Sequence, residues 1–433
     1  MNGDSTQRRR TGTGPDTTGD SATRPDVVLV TIDAWRADAV ERMPALRRLA
    51  AENGYDRSRA VSGSAATHGA FPPILASDHI VRTYDTEGGL RPGTSPLPEV
   101  LADHGYRTGA VVGSNPFLAR WSRCFDYFWN DGMRDDVEFG GPNYSTVDRV
   151  QRFLRLQKRV TATEVAERAS EWYREQDPPR FLWMHLMDAH GPYFPGLRGA
   201  RRTGVYRTYR TLFDYHVRDR QSPETLARLR ELYHRCLERL DDRLAAVLDF
   251  VDSDAVVVLT GDHGEEFDHG FHGHAQLYDE CVTTPLLTAN LSHPTAECDV
   301  RHLDVGPTIL DEVGLPSPAT WAGTPVDGTT RHALLFNHSP DHERTYVGVR
   351  TGRYKFIKSF DHERWTVEGR TLYDLAADPE ERTPVENPDV ARELERTVDS
   401  FLAREDVELE TIRQTTTGID ADVERRLEEL GYV

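Results

Sequence analysis

Short apolar runs without polar alternation recur along this chain, and most are followed by stretches in which apolar residues return every three or four positions. "DVVLVTID" (26–33) reads as a strand buried on both faces, because Val27–Ile32 are all apolar or β-branched. "MPALRRLAAENG" then predicts a helix stopped by Gly54, and "SPLPEVLADHGYRTGAVVGS" predicts a helix ending at Gly105 before a strand over Arg107–Val112. "TATEVAERASEWYREQ" places Val165, Ala169, Trp172 and Tyr173 on one helix face, and "RFLWMHLMDAHGPY" is a second buried strand running into a turn. In "SPETLARLRELYHRCLERLDDRLAAVLDFV" one stripe carries Leu226, Leu229, Leu232, Cys236, Leu240, Leu244 and Val247, with Ser222 as N-cap. "AVVVLTGDHG" is a third buried strand, and "LDVGPTILDEVGLP" is a short helix closed at Gly314 and Pro316.

Strand, helix, strand repeated in this way predicts an α/β fold, with a mostly parallel central sheet sandwiched by helices. The texture changes near residue 330. "TYVGVRTGRYKFI" and "TLYDLAADP" read as short antiparallel strands, followed by the helix "NPDVARELERTVDSFLAR" and an amphipathic end, "DADVERRLEELGYV". We therefore expect a disordered polar tail over 1–24, a large α/β domain over 25–330 and a smaller α+β C-terminal subdomain over 331–433.

Composition narrows the class. With 433 residues, 38% hydrophobic and 9% aromatic, the chain is globular with ample core. No apolar run approaches the roughly 18–20 residues that span a bilayer. Arg8–Arg10 precede "TGTGPDTTGDSATRPD", which lacks the apolar stretch of an export signal, so a cytoplasmic location is expected. A net charge of −19 argues against nucleic acid as partner, and no amphipathic anchor suggests a membrane. Only three of the 52 basic residues are lysines (Lys158, Lys355, Lys358), an acidic, lysine-poor surface like that of salt-adapted, haloarchaeal proteins. The four cysteines, Cys124, Cys236, Cys281 and Cys298, show neither zinc-ligand spacing nor a disulfide framework, so free thiols are expected.

The chemistry gathers at strand ends. The first buried strand ends at Asp33, the second runs through Asp188 to His190, and the third runs into Asp262 and His263. Parallel strands bring such ends to one edge of the sheet, where ligands bind in open α/β folds. Singly, an Asp after a strand is usually a turn former and a lone His a structural one. Three such ends, with the stretch "TGDHGEEFDHGFHGH" (260–274), point instead to a metal-dependent site.

"VTIDAWRAD", "HLMDAHGPY", "VVLTGDHGEEFDHGFHGHAQLYDECVTTPLL" and "VRTGRYKFI…TLYDLAADP" resemble the sulfatases of the alkaline phosphatase superfamily, in the family's order and at about its spacing. The final "RLEELGYV" also looks like the family's usual ending, so the likeness covers 25–433. The resemblance implies metal ligation by Asp33, Asp262 and His263. Many relatives carry two adjacent Asp residues at the first position, but this chain has Ala34 second, which suggests one metal ion rather than two. His190 matches the histidine that contacts the transferred group or leaving oxygen, and His274 stands where relatives have Lys or His. His269 matches a loop histidine of structural or catalytic role, whereas His272 has no counterpart.

Relatives that carry formylglycine have Cys or Ser followed by x-Pro-Ser-Arg at the nucleophile. Here "SGSAATHGAFPPILAS" places Thr67 at that position, with Gly69, Ala70 and Phe71 where Pro, Ser and Arg would stand. The modification motif is therefore absent, and Thr67, with Ser64 and Ser62 as runners-up, becomes the nucleophile and a further metal ligand. A hydroxyl needs activation, which a divalent cation (Mn, Zn, Mg or Ca) would supply. His190 and His274 would stabilise substrate oxygens or protonate the leaving group. Without the aldehyde, hydrolysis of phosphate mono- or diesters is favoured over sulfate esters, with a small anionic ester as substrate. Two alternatives stay open: a sulfuric ester hydrolase without formylglycine, and a non-catalytic binding protein on the same fold. The arginines Arg201, Arg202, Arg207 and Arg210 read as solvated surface charge or as a cradle for an anionic tail.

Overall fold

The computed structural model describes residues 24–85, 88–130, 160–218, 220–270, 273–340, 342–405, 407 and 409–413. The tail over 1–23, the middle stretch 131–159, His272 and the terminal "DADVERRLEELGYV" lie outside the described residues.

Eight strands form the central sheet: β1 (Val27–Ile32), β2 (Asp56–Val61), β3 (Arg107–Val112), β4 (Tyr127–Asn130), β5 (Arg180–Leu186), β6 (Val256–Gly261), β7 (Thr283–Ala289) and β8 (Asp299–Arg301). Their order is β4-β3-β5-β1-β6-β7-β2-β8. β4, β3, β5, β1 and β6 run parallel, while β7 is antiparallel to both β6 and β2. The three strands read as buried from their unbroken apolar runs, β1, β5 and β6, lie side by side at the centre, and every residue in them is buried.

Alternation within these strands divides the core. Val27, Leu29 and Trp183 pack on one face with Phe71, Ile74 and Leu75. Val28, Val30, Ile32, Leu182 and Met184 pack on the other against the helices Ala162–Glu175 and Pro223–Leu248. Each such side chain contributes roughly 1.5–3 kcal/mol when fully removed from water. The helix Pro223–Leu248 starts as expected, with Ser222 accepting from the Thr225 amide at 3.2 Å. Asp241, in its middle, caps a neighbour by accepting from the Ala45 and Leu46 amides (2.9 and 2.7 Å) at the start of Pro44–Glu52.

A second, antiparallel sheet of four strands follows in the order β12-β11-β10-β9, from β9 (Ala333–Ser339), β10 (Arg344–Arg350), β11 (Tyr354–Asp361) and β12 (Val367–Asp374). The helix Pro388–Arg404, capped by Asn387, packs on it. Ionic contacts fasten this sheet to the body. Buried Lys355 reaches Asp279 (2.5 Å), Glu381 (2.8 Å) and the Leu277 carbonyl (2.9 Å), and Arg350 pairs with Asp279 and Asp299. Among the described residues no helix is long and apolar enough to cross a membrane, and Cys124, Cys236, Cys281 and Cys298 are free thiols.

Candidate active site

Because β5, β1 and β6 are adjacent and parallel, their carboxyl ends open at one edge of the sheet. Hydrogen bonding continues one residue past the strands: the Asp33 amide donates to Leu186 (2.9 Å) and the Asp262 amide to Ile32 (3.2 Å). Asp33 and Asp262 are thus fixed side by side and fully buried. Asp262 Oδ1 accepts from its neighbour's amide, His263, at 2.7 Å and from Ala34 at 3.2 Å. Gly264 lets the chain turn beneath the Glu280 backbone, since a Cβ there would lie 2.0 Å from that carbonyl oxygen.

Thr67 arrives from the other side, as the first residue of the helix Thr67–Ala76, after extended Ala66. Its Oγ1 lies 3.3 Å from Asp33 Oδ2 and 3.2 Å from His263 Nε2. The positive end of the helix dipole therefore faces the oxygen. The sharp entry into this helix requires Gly69, where a Cβ would lie 2.4 Å from Ser64 Oγ.

The histidines divide by hydrogen bonding. His263 Nδ1 donates to the Gly264 carbonyl at 2.7 Å, which leaves a lone pair on Nε2 toward Thr67. Burial keeps this imidazole below its ordinary pKa, hence neutral. His190 Nδ1 donates to Gly191 O at 2.6 Å, with Nε2 3.9 Å from Asp33 Oδ1. His274 stacks obliquely beside both, its ring centre 4.9 Å from His263 and 6.3 Å from His190. Burial opposes its charge, but the Glu265 carboxylate at 3.4 Å prevails and lifts its pKa to about 8. Glu265 is itself held by the Tyr193 hydroxyl at 2.6 Å.

The two carboxylates behave as a coupled pair. Burial raises both, yet the imidazole of His190, foremost among the neighbouring groups, holds Asp33 well below the usual range. Asp262, disfavoured by burial and by the Asp33 charge, is pushed well above it. Asp33 Oδ1, Asp262 Oδ2 and His185 Nε2 are enclosed without a hydrogen-bond partner. Ligand atoms of Asp33, His185 and Asp262 lie within 4.8 Å of one another. Oxygen and imidazole donors of this kind suit a divalent ion. Another cluster, Glu266, His269 and Glu280, differs. There Glu280 already accepts from Arg36, His269 and the amides of Phe267 and Asp268.

Thr67, Asp33, His190, Asp262, His263 and His274, all named from sequence, meet around one point. Other residues weighed from sequence are engaged elsewhere. Asp188 turns away from the edge and caps the helix Ala162–Glu175, accepting from Ala162 at 2.7 Å and from Arg243 at 3.1 Å. Ser64 hydrogen-bonds Asn337 Oδ1 at 3.1 Å and Ser62 accepts from the Ser64 amide at 3.4 Å, so both runners-up hold the turn. His269 is structural: it lies flat on Tyr278 at 3.6 Å and bonds Glu280 at 2.5 Å. Arg202, Arg207 and Arg210 pair with Glu238, Glu231 and Asp214 on the surface.

Sequence reasoning missed His185, Asn115, Glu265 and Asn337. Asn115 Nδ2 donates to Asp33 Oδ2 at 3.2 Å. Asn337, in β9, donates to the His274 and Ala275 carbonyls (3.2 and 2.7 Å) while its Oδ1 accepts from Ser64, tying the C-terminal sheet to both flanks of the site. Only Glu265, inside "GDHGE", carried a sequence signal.

A family model described as "Sulfatase" matches residues 25–315, and one described as "N-sulphoglucosamine sulphohydrolase, C-terminal" matches 267–408. No curated protein matches the chain significantly. Among solved structures, a 2-O GAG sulfatase superposes with a TM-score of 0.63 at 15% identity, covering 89% of this chain and 93% of the other. A protein solved in complex with its substrate D-glucosamine-2-N,6-O-disulfate gives 0.60 at 15% identity, covering 89% and 99%. A phosphonate monoester hydrolase from Silicibacter pomeroyi gives 0.60 at 17% identity, covering 88% and 95%.

Proposed function

Because the chain belongs to the sulfatase family of ester hydrolases, we propose that it cleaves phosphate mono- or diesters through Thr67 as nucleophile. The observation that carries this reading is the position of Thr67 Oγ1, at a helix N-terminus and within 3.3 Å of both Asp33 and His263. A divalent ion held by Asp33, Asp262, His263 and Thr67 would supply a Lewis acid that lowers the hydroxyl pKa and neutralises a substrate oxygen. The hydroxyl proton has an acceptor at hand in Asp33 Oδ2, 3.3 Å away. As Thr67 Oγ1 bonds to phosphorus, the ester oxygen departs with the proton that His274 carries below about pH 8. Glu265 and Tyr193 keep His274 charged and oriented until that transfer. His190 faces the same space and stabilises the remaining oxygens. Neutral His274 then takes a proton from the water that displaces Thr67 Oγ1 from phosphorus, and Asp33 Oδ2 returns the first proton to that oxygen.

The preference for phosphate rests on the threonine. A sulfated aldehyde hydrate can eliminate sulfate, whereas a sulfated threonine must wait for attack at sulfur. The competing reading, sulfate-ester hydrolysis without an aldehyde, draws on the names of the matching sulfatases. Aryl phosphate, phosphodiester and aryl sulfate should be assayed with several divalent metals, on wild type, Thr67→Ala and Thr67→Ser. We expect metal-dependent phosphoesterase activity, abolished in Thr67→Ala and retained in part by Thr67→Ser. Dominant arylsulfatase activity would overturn the preference, and full activity in Thr67→Ala would remove the nucleophile.

A further inference from the structure

We infer that His185 is an additional protein ligand of the divalent ion, held in its coordinating tautomer by Thr31. The inference rests on the metal-dependent reading of the site. His185 lies within β5, opposite Thr31 of β1, and is fully buried. Its Nδ1 is 2.9 Å from Thr31 Oγ1. A threonine hydroxyl has one proton to give and two lone pairs to receive. Trp183 Nε1 donates into Thr31 Oγ1 at 2.9 Å, and the Met184 carbonyl stands 3.4 Å away as acceptor. If His185 Nδ1–H donates into the second lone pair, Thr31 gives its proton to Met184 and every group is served.

That assignment leaves a lone pair on His185 Nε2, which lies 3.4 Å from Asp33 Oδ2. The nearest acceptor for a proton on Nε2 is that same oxygen, at the long end of hydrogen-bond range and already receiving Thr67 Oγ1 and Asn115 Nδ2. A lone pair enclosed with two carboxylates is unfavourable unless a cation joins them. The alternative, a structural histidine packed edge-on against Phe71 at 5.3 Å, explains the burial but not the unpartnered nitrogen aimed at the acids. His185 also supplies a donor to a site that has a methyl group at Ala34 rather than another carboxylate.

The test is calorimetric titration of Mn²⁺ into the metal-stripped full chain, with pulsed EPR counting the imidazole nitrogens bound to Mn²⁺. Wild type should bind with two directly bonded imidazoles, His185 and His263. His185→Gln should retain one and bind weaker by more than the roughly 10- to 100-fold that loss of an outer-shell partner costs. Thr31→Val keeps the shape and both imidazoles but removes the acceptor, and should weaken binding by about 10- to 100-fold. If His185→Gln does not fold, the wild-type nitrogen count and Thr31→Val decide. Wild-type affinity in either variant, or a single imidazole in wild type, overturns the role of His185 alone. A wild-type chain that takes up no Mn²⁺, Zn²⁺, Mg²⁺ or Ca²⁺ overturns the metal-dependent reading, and this inference with it.

Discussion

Arg36 offers the sharpest test of how the site is braced. It follows β1 by four residues, is 7% exposed, and reaches Asp38 (2.9 Å), Asp268 (2.9 Å) and Glu280 (2.5 Å), while donating to the Glu265 carbonyl at 3.0 Å. The partners are unequal. Asp38 is 59% exposed, so that pair contributes at most about 1 kcal/mol. Asp268 keeps a second arginine, Arg230, when Arg36 is removed. Glu280 is only 5% exposed, and its charge becomes uncompensated except by His269 and two amides. Arg36→Met should therefore destabilise by about 3–5 kcal/mol, as expected for breaking a buried pair from one side. That is a large share of the roughly 5–15 kcal/mol that holds a domain folded. Urea unfolding at pH 7.5 of Arg36→Met, Glu280→Gln and the double variant should give a coupling of about 1–3 kcal/mol. The Arg36→Met protein should also bind divalent ions more weakly, because the segment bearing His263 and Glu265 loses its brace. A cost under about 1 kcal/mol would refute the reasoning, since the pair would then behave like a surface contact.

Other consequences are measurable in the same way. Adding a divalent ion at about 1,000 times its Kd to metal-stripped protein should stabilise it by about 4 kcal/mol. Asp262→Asn should abolish that rise in Tm, as followed by calorimetry with and without chelator. Burial, reinforced by Arg301, Arg82 and Arg404, keeps His79 neutral with a pKa of about 3. The unfolded chain, with its ordinary value near 6.5, binds that proton first, so this contribution is complete above pH 6.5 and drains as pH falls toward 3. About 2–3 kcal/mol should be lost by pH 4.5, and His79→Leu should flatten that slope in urea midpoints between pH 7 and 4.5. Gly264→Ala forces the backbone away from Glu280 and should cost about 1–3 kcal/mol and most of the activity, read by unfolding and by phosphatase assay.

How far the sequence reached follows from where each signal lies. β1, β5 and β6 were legible because unbroken apolar runs have few other uses, and Asp33, Asp262 and His263 because they end those runs. β2 was not: "DRSRAV" holds Asp56, Arg57 and Arg59 and no apolar run, so only pairing with β7 and β8 makes it a strand. His185 sits inside an apolar strand, where a histidine reads as core. Its importance arises from Thr31, 154 residues away along the chain. Asn115 and Asn337 belong to a loop and to β9, with nothing local to distinguish them from polar neighbours. Asp188 follows the same strand as His190 yet caps the helix that packs across it, a use of a carboxylate after a strand that nothing local distinguishes from ligation.

The reach of Asn337 has a consequence for biosynthesis. It bonds Ser64, a partner made 273 residues earlier. A chain still emerging from the ribosome can lay down Thr67, the acids and the imidazoles, yet it lacks the Asn337 hydrogen bonds that join Ser64 to the His274 and Ala275 carbonyls. That link forms only once translation is more than three-quarters complete, so the two flanks of the site are joined late in synthesis.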